Sequence, residues 1–439
     1  MIRVRFAVAP VGNLSISSAR IALANDLLGR RGNGQMLLRL DDLDAERSRP
    51  AQVDQIIRDL RWLGIDWHCS FRQSERMAVY QPAIDRLIGD KLLYPCFESE
   101  QELMAKREFR RKRNQPPIYD RAMLSLTAKQ RQDAEAGGKR PHWRLKLSGR
   151  TLQWNDLILG PRQAALSAVS DPVLVRPDGH PTPILASVVD DLDFATTDII
   201  RGDDSTGNTA IQIELFEVLG GTRKPRFGHV PALSDEPKAG RRRTGNAPLR
   251  GLRHDGIEPV VLAAWLCGKG APYGDPLTLD ELARRLQPAD FAASRFDAAA
   301  LLRINRCVLG KLDFTAVADR LPPGATEDFW LAIRGSLDLL DEARVWWNVV
   351  SGIIVPPGIE GARDLLLTAG TLLPPEPWES AVWDTWIAAL RRHTGRPENA
   401  LLPPLRLALT GDDTGPDLAY LLPLIGRSRA LSRLAIAAA

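Results

Sequence analysis

The N-terminal segment constrains the fold more strongly than any other stretch of the chain, because a strand, a loop and a helix follow one another directly. Apolar residues alternate with arginine and alanine over residues 2–8, which is a strand pattern. Gly12 breaks this pattern, and apolar residues then recur at helical spacing over residues 18–30. We expect Ser17 or Ser18 to cap this helix.

A second, mostly apolar strand is expected over residues 36–41. Together the three elements make a βαβ unit, which is almost always right-handed with parallel strands. Ligands of such sheets lie beyond the carboxyl ends of the strands. The loops at residues 7–12 and 41–44 both follow such ends, so the sequence predicts one pocket that gathers both loops.

The length of 439 residues is too great for one core and indicates two to four domains. From residue 95 to about 180 a charged helix, a proline pair and a short strand indicate an α+β insertion. Residues 187–191 and 198–202 resume strand and loop patterns. Beyond about residue 300, leucine, alanine and tryptophan recur at helical spacing between prolines. The predicted fold class is α/β, with a Rossmann-like parallel sheet, the insertion, and an all-α C-terminal domain.

Composition adds little about function. The 58 basic and 54 acidic residues give a net charge of +4, a bias too mild to identify a nucleic-acid binder. Two basic clusters, at residues 106–113 and 241–243, are suited to salt-sensitive phosphate contacts. A solvated helix face is the alternative interpretation, and for the first cluster alone it is favoured.

The four cysteines lie far apart and form no Cys-x-x-Cys pair, so neither a disulfide framework nor a cysteine-based zinc site is expected. No apolar run approaches the length of a bilayer span. The first residues, Met-Ile-Arg-Val-Arg, carry no targeting pattern. We therefore expect a cytoplasmic protein with no membrane partner.

Several separated blocks resemble the glutamyl-tRNA synthetases, and they occur in the order of that family. The N-terminal loop keeps the family's frame at five positions: Gly12, Leu14, Ile16, Ala19 and Arg20. The further matching blocks are residues 38–48, 61–67, 73–76, 171–176, 187–191, 201–204, 208–213, 404–411 and 421–427. About a dozen collinear blocks over nearly the whole chain identify it as a member of this family. The variants around residues 171–213 resemble the second glutamyl-tRNA synthetase of some bacteria.

The resemblance implies a division of the chain into five segments. They are the first half of the nucleotide-binding catalytic domain (1–94), an insertion that binds the acceptor end of tRNA (95–180), the second half of the catalytic domain (181–235), a stem-contact region with the second signature loop (236–310), and a helical anticodon-binding domain (311–439).

The resemblance also implies the reaction. ATP, as its Mg²⁺ complex, activates glutamate to glutamyl-adenylate, and the glutamyl group is transferred to the 3′ end of tRNA(Glu). Glutamate and tRNA(Glu) are the implied partners of a monomeric enzyme. Some members carry a Cys-x-Cys zinc pair, of which this chain keeps only Cys96, so no zinc or other metal site is expected.

By the same resemblance, the glutamate-binding residues are Arg5, Ala7, Asp41 and Arg201. Arginine suits this role because its planar guanidinium binds a carboxylate bidentately. Asp41 stands where a glutamate would hold the substrate amino group. The family's serine is replaced by Ala9, and its tyrosine by Pro183, which has no hydroxyl to donate.

The implied ATP-binding residues are Gly12, Ser15, Ser17, Ser18, Arg242 and Arg243, with Ser15 and Arg242 in catalytic positions. Ser15 replaces a histidine that donates to the triphosphate, and Ser17 replaces a glycine. Loss of one such preorganised donor typically costs about 10²–10³ in rate. In the second signature, Arg242 stands for the lysine that stabilises pyrophosphate, and Arg241 replaces a serine.

Three functions follow from these observations. The first is a glutamate–tRNA ligase with altered but tolerated motifs, which the intact fold favours. The second is a catalytically silent paralogue that binds tRNA without charging it, favoured by changes that converge on one pocket. The third and weakest is a related adenylating enzyme that acts on another small acid. We favour the ligase.

Overall fold

The computed structural model describes residues 1–221, 224–233, 249–268, 278–291, 297–378 and 381–439. These residues form two compact units. The first runs from residue 1 to residue 251 and takes in 263–268 and 278–291; the second contains 252–262 and 297–439. Within the described ranges, no helix is both long enough and apolar enough to cross a membrane.

The strands are β1 (Arg3–Val8), β2 (Gln35–Leu40), β3 (Cys69–Arg72), β4 (Leu93–Cys96), β5 (His142–Leu145), β6 (Thr151–Asp156), β7 (Gly160–Ala165), β8 (Val173–Val175), β9 (Asp198–Gly202) and β10 (Arg226–Val230). The helices up to the second unit are α1 (Ile16–Arg31), α2 (Pro50–Trp62), α3 (Met77–Gly89), α4 (Glu100–Lys112), α5 (Ala128–Ala136), α6 (Pro183–Asp193), α7 (Thr209–Val218), α8 (Leu249–Asp255), α9 (Pro259–Leu266) and α10 (Leu279–Arg285). The remaining helices are α11 (Ala298–Leu309), α12 (Phe314–Val317), α13 (Glu327–Ile333), α14 (Ala343–Ser351), α15 (Arg363–Leu372), α16 (Val382–Thr394), α17 (Glu398–Thr410), α18 (Leu418–Ile425) and α19 (Arg427–Ala437).

The main sheet has five parallel strands in the order β10-β9-β1-β2-β3. β1 pairs with β2 along its whole length, from Arg3 opposite Gln35 to Val8 opposite Leu40. The chain order reverses at β1, because β2 and β3 extend the sheet in one direction and β9 and β10 in the other. Such a switch point opens a crevice at the carboxyl ends of the strands. The predicted Rossmann-like class and its parallel βαβ unit are confirmed.

The alternating pattern of β1 does not translate into one buried and one exposed face. Val4, Arg5 and Phe6 are all buried, because a parallel sheet is covered by helices on both faces. Arg5 is therefore an internal charge rather than a surface one.

Two expectations were wrong: the N-cap residue of α1 and the extended conformation of residues 187–191. α1 begins at Ile16 and is capped by Ser15, whose backbone is extended and whose Oγ accepts a hydrogen bond from Ser18 N at 3.0 Å. The expected cap at Ser17 or Ser18 was wrong, because the polar residue that ends the loop precedes an isoleucine that already belongs to the helix.

Residues 187–191 are helical rather than extended, within α6, because Pro183 at the first turn favours a helix start and the helix packs its apolar residues into the core.

The segment between β3 and α6 contains two smaller sheets. β4, β5 and β8 form one antiparallel sheet, and β6 with β7 forms a hairpin. The hairpin reaches back to the main sheet, where Leu157 N donates to the carbonyl of Phe227 on β10 at 2.8 Å. The insertion thus contributes residues directly beside β10.

The regular elements described in the second unit are all helices, as expected. Its core holds two fully buried tryptophans, Trp330 and Trp386. Each satisfies its indole N–H with a backbone carbonyl, of Leu312 at 2.8 Å and of Ala369 at 2.9 Å. The density of tryptophan in this part of the sequence therefore reflects a packed core.

Arg20, in the signature segment, has no exposed surface and holds three separate segments of the first unit to α1. Its guanidinium donates to the carbonyls of Leu266 at 2.9 Å, Pro231 at 2.7 Å and Phe291 at 3.1 Å. Burial lowers the pKa of Arg20 from its ordinary value, against weaker opposing effects of Cys267 and Asp203. This arginine is a structural connector.

Arg20→Lys is expected to destabilise the first unit by about 2–4 kcal/mol, because an ammonium group cannot reach three divergent carbonyls and leaves buried acceptors unsatisfied. The corresponding fall in melting temperature is roughly 5–10 °C by calorimetry. The matched control is Arg58→Lys on α2, where the arginine is exposed. Equal melting temperatures for the two variants would contradict this role.

Candidate active site

A cavity of about 460 Å³ lies at the switch point of the main sheet, and we call it the β1–β9 cavity. Its lining comes from the ends of β1, β2 and β9 and from α1, α6 and α7: Arg5, Phe6, Ala7, Val8, Ala9, Ser18, Ile21, Arg39, Asp41, Pro183, Ile184, Ser187, Ile200, Arg201, Gly202, Ser205, Asn208 and Gln212. All four residues to which the sequence assigns glutamate binding are among them. The loops after β1 and β2 contribute to the same cavity, as their position in a parallel sheet predicts.

Arg5 is paired at the base of this cavity with Asp191 of α6. Its Nε lies 2.8 Å from Asp191 Oδ1 and its Nη2 3.3 Å from Oδ2, and both side chains are less than 5% exposed. A buried charge is tolerated only with such a partner. Arg5 therefore reaches the cavity with its charge already compensated.

Arg39 and Asp41 form a second pair two residues apart on β2 and its following loop. Arg39 Nε lies 2.7 Å from Asp41 Oδ1, and Nη2 donates to Ser187 Oγ at 3.1 Å. Nη1 is 3.9 Å from the carboxylates of Asp190 and of Asp191. Asp41 is about a quarter exposed, so its carboxylate faces the cavity while Arg39 fixes its orientation.

The carboxylate of Asp190 supports this arrangement from the side of α6 away from Arg5. It accepts hydrogen bonds from Gln73 Nε2 at 2.9 Å, from Arg76 Nε at 2.8 Å and from the Tyr80 hydroxyl at 3.0 Å. Burial raises the pKa of Asp190, and the opposing charge of Arg39 is the largest of the effects that lower it. Asp190 is therefore a structural group beneath the site.

Arg201 on β9 differs from the other two arginines because no carboxylate of the described residues forms an ion pair with it within 4.0 Å. Its three nitrogens donate to neutral acceptors: Nε to His229 Nε2 at 3.1 Å, Nη1 to Gln212 Oε1 at 2.5 Å, and Nη2 to Thr209 Oγ1 at 2.8 Å. Burial, and then the charge of Arg5, lowers the pKa of Arg201 to about 10. It remains cationic at neutral pH, and two of its five N–H groups remain for a ligand.

The expected substitutions are visible around the cavity. Pro183 lines it at the first turn of α6 and offers only a ring, and Ala9 lines it with a methyl group. Ser187, which sequence reasoning did not single out, brings a hydroxyl into the lining.

Of the residues assigned to ATP, Ser18 lines the β1–β9 cavity, whereas Gly12, Ser15 and Ser17 lie on the adjoining loop and first turn. The Ser15 hydroxyl caps α1 and lies 2.9 Å from Ser18 Oγ. Apart from Gly12 and its two chain neighbours, no heavy atom of the described residues lies within 4 Å of the position that a Cβ on Gly12 would occupy. Arg241, Arg242 and Arg243 lie outside the described residues.

Cys96 is buried in the insertion, near the position of the family's zinc pair. Its Sγ lies 3.6 Å from the Tyr119 hydroxyl, which donates to Glu98 Oε2 at 2.6 Å. Lys106 lies 2.5 Å from the other oxygen of Glu98. The described residues contain no group of three or more His, Cys, Asp or Glu side chains arranged to hold a metal. The absence of a zinc site stays a prediction.

Charged or polar residues of the site that sequence reasoning missed include Arg39, Ser187, Asp191 and Gln212. All four fall inside the blocks that carry the family resemblance. For Arg39 the sequence did contain a usable signal. It lies within the apolar strand at residues 36–41, and a buried arginine needs a polar or charged partner inside the protein.

Comparison with known proteins agrees with this geometry. The sequence profile of the catalytic domain of class I tRNA synthetases (E and Q) matches residues 1–252, and that of an anticodon binding domain matches residues 360–438. Among curated relatives, glutamate–tRNA ligase 2 of Acidiphilium cryptum (strain JF-5) is 52% identical, with 100% of each chain covered. Glutamate–tRNA ligase 2 of Granulibacter bethesdensis is 49% identical, over 99% of this chain and 98% of the relative.

The same fold is found in a crystal structure of a glutamate tRNA ligase from Elizabethkingia meningosepticum in complex with its amino acid. The TM-score is 0.82, the sequence identity is 22%, and 99% of each chain is covered. The parallel sheet, its switch-point cavity and the profile match define a class I tRNA synthetase. The chain belongs to the glutamate–tRNA ligase family, whose members are ATP-dependent aminoacyl-tRNA ligases.

Ser15→Ala is expected to destabilise the first unit by about 1 kcal/mol, because it removes the N-cap acceptor of α1. Thermal unfolding should show a fall of roughly 2–4 °C. Ser15→Asp keeps an acceptor at the cap and should restore stability, whereas Ser17→Ala, one residue into the helix, should have no such effect. If Ser15→Ala and Ser17→Ala have the same melting temperature, Ser15 does not act as the cap.

Proposed function

We propose that this protein joins glutamate to tRNA(Glu), by activating glutamate with ATP to glutamyl-adenylate and transferring the glutamyl group to the terminal adenosine. The observation that carries this proposal is Arg201, a cation at the wall of the β1–β9 cavity to which no carboxylate of the described residues is paired. A cation in these surroundings favours an anionic ligand, and a carboxylate meets two of its N–H groups bidentately.

The other cavity residues fit the rest of a glutamate molecule. The Asp41 carboxylate, oriented by Arg39, receives the ammonium group of the substrate. Arg5, compensated by Asp191, donates to the substrate at the floor of the cavity, and Ala7 leaves room for it. Of the three arginines in the lining, Arg5 and Arg39 are already paired with carboxylates, so the remaining charge of Arg201 matches a ligand whose side chain carries a single negative charge.

ATP lies against the loop and first turn formed by Gly12, Ser15, Ser17 and Ser18. The first N–H groups of a helix have no intrahelical partners and attract phosphate. α1 has no acidic residue in its first turn to oppose this attraction. Arg242 and Arg243 hold the leaving pyrophosphate. Mg²⁺ enters bound to ATP, since such ions in nucleotide sites are held largely by phosphates and water.

The proposed tRNA contacts follow the division of the chain. Residues 1–94 and 181–235 form the catalytic domain, 95–180 hold the acceptor end, 236–310 contact the stem, and 311–439 bind the anticodon. The profile match at residues 360–438 and the helical second unit support the last assignment. The family resemblance supports an enzyme that works as a monomer, in the cytoplasm.

The test is glutamate-dependent ATP–pyrophosphate exchange, with and without tRNA(Glu), together with tRNA charging. Exchange in either condition is the expected result. Absence of exchange and charging, with tRNA binding retained in a filter assay, would overturn the ligase function and support a tRNA-binding paralogue.

Arg201→Gln is expected to raise the KM for glutamate at least 100-fold and to leave the KM for ATP within threefold, because it removes the charge that the substrate carboxylate meets. Steady-state exchange kinetics measure both constants. Arg58→Gln, an exposed arginine on α2, is the control and should match the wild type. An unchanged glutamate KM in Arg201→Gln would exclude this residue as the carboxylate ligand.

The double substitution Ser15→His and Ser17→Gly is expected to raise the exchange rate by about 10²-fold, since it restores a preorganised donor to the triphosphate. Ser15→His also removes the N-cap of α1 and can lower the stability of the first unit. Melting temperatures are therefore measured together with exchange rates. If the exchange rate does not rise, the phosphate loop does not limit turnover, and Pro183→Tyr with Ala9→Ser becomes the next pair to compare.

A further inference from the structure

His229 lies directly beside Arg201, at the register position where β10 pairs with β9. Its side chain has no exposed surface. The ring bridges two groups: Nδ1 lies 2.5 Å from Asp156 Oδ2, and Nε2 lies 3.1 Å from Arg201 Nε and 3.0 Å from Thr209 Oγ1. Asp156, at the end of β6, is likewise buried.

The protonation of this chain of groups follows from its partners. Burial works against the charge of Asp156, but the hydrogen bond from His229 and the backbone N–H groups of Leu159, His229 and Ile158 outweigh it and lower the pKa of Asp156 to about 2. An ionised carboxylate only accepts hydrogen bonds, so the imidazole proton is on Nδ1. Nε2 then carries a lone pair and accepts from the arginine, which can only donate.

We infer that Asp156 and His229 are positioning residues that orient Arg201 for recognition of the substrate carboxylate. The inference rests on the proposed role of Arg201 in glutamate binding. Asp156 fixes the tautomer of His229, and His229 fixes the edge of the guanidinium that faces away from the ligand. Neither residue lines the β1–β9 cavity.

The neutral ring solves an electrostatic problem that a direct ion pair would create. A carboxylate bonded to Arg201 would orient it but would also cancel its charge, as Asp191 does for Arg5. The imidazole transmits the orientation imposed by Asp156 and keeps the carboxylate one ring width away. Thr209 and Gln212 of α7 complete the restraint with neutral oxygens. Arg201 is thus held in place and left attractive to an anion.

The restraint also depends on the insertion. Asp156 belongs to the β6–β7 hairpin, and its Oδ1 accepts from the backbone N–H of His229 at 3.0 Å. The hairpin is held to β10 by the hydrogen bond from Leu157 N to Phe227 O at 2.8 Å. The guanidinium carbon of Arg201 lies over the ring of Phe227, 5.4 Å from the ring centre, so this ring covers one face of the guanidinium.

The test is calorimetric titration of the full-length protein with L-glutamate, which needs no turnover. Asp156→Asn presents an amide N–H to Nδ1, moves the imidazole proton to Nε2 and should weaken glutamate binding at least tenfold. His229→Asn has a side chain too short to reach Arg201 and should do the same. His229→Gln places an amide oxygen near the position of Nε2 and should bind within threefold of the wild type. Melting temperatures of all four proteins show whether each is folded.

Two-dimensional ¹⁵N correlation spectra of the histidine rings give an independent readout, since the chain has only six histidines. The His229 signal, assigned from its absence in His229→Gln, should report an Nδ1–H tautomer in the wild type and an Nε2–H tautomer in Asp156→Asn. A purely structural role for Asp156 would change melting temperature without a parallel change of tautomer and affinity.

The outcomes separate the two proposals. Wild-type binding with an unchanged dissociation constant in folded Asp156→Asn and His229→Asn would overturn the positioning role alone. An Nε2–H tautomer in the wild type would overturn it as well. No glutamate binding by the wild type would overturn the proposed function, and the positioning role would fall with it.

Discussion

The burial of arginine inside the parallel sheet is the constraint on which the rest of the first unit depends. Arg5 and Arg39 lie on adjacent strands with almost no exposed surface, and each needs a carboxylate within hydrogen-bonding distance. Asp191 supplies one from α6, 186 residues along the chain from Arg5. The helix must therefore dock on the sheet in one register, and that register places Pro183 and Ser187 at the cavity.

Arg201 differs from Arg5 and Arg39 because its hydrogen-bond partners are not carboxylates. Its neighbours accept hydrogen bonds from three of its N–H groups, and no carboxylate of the described residues pairs with its charge, so the cavity has a positive wall suited to a ligand carboxylate. Paired and unpaired arginines therefore lie in one cavity, and they differ in whether a carboxylate of the described residues lies within hydrogen-bonding distance. The packing of β9, β10 and the β6–β7 hairpin places His229 and Thr209, which are neutral partners in our proposal, beside Arg201.

Much of the fold was predictable because it depends on local patterns: strand alternation, helical spacing and the parallel βαβ rule predicted the unit β1-α1-β2 and the edge at which its loops meet. The resemblance placed Arg5, Asp41 and Arg201, and the structure brings them to one cavity. The pairing of Arg5 with Asp191 was not predictable, because nothing local specifies a contact across 186 residues. The helical state of residues 187–191 was missed since a short apolar run fits a strand or a buried helix equally well.

Arg20 shows that one residue of the signature segment has a structural role. Its three bonds go to backbone carbonyls of the protein itself, so its presence reports that α1 is locked to the segments around Leu266, Pro231 and Phe291. These bonds involve no nucleotide, so a chain that had lost its nucleotide contacts could keep this arginine for its packing alone. Within one motif, then, the presence of Arg20 reports the architecture of the first unit and does not by itself report catalysis.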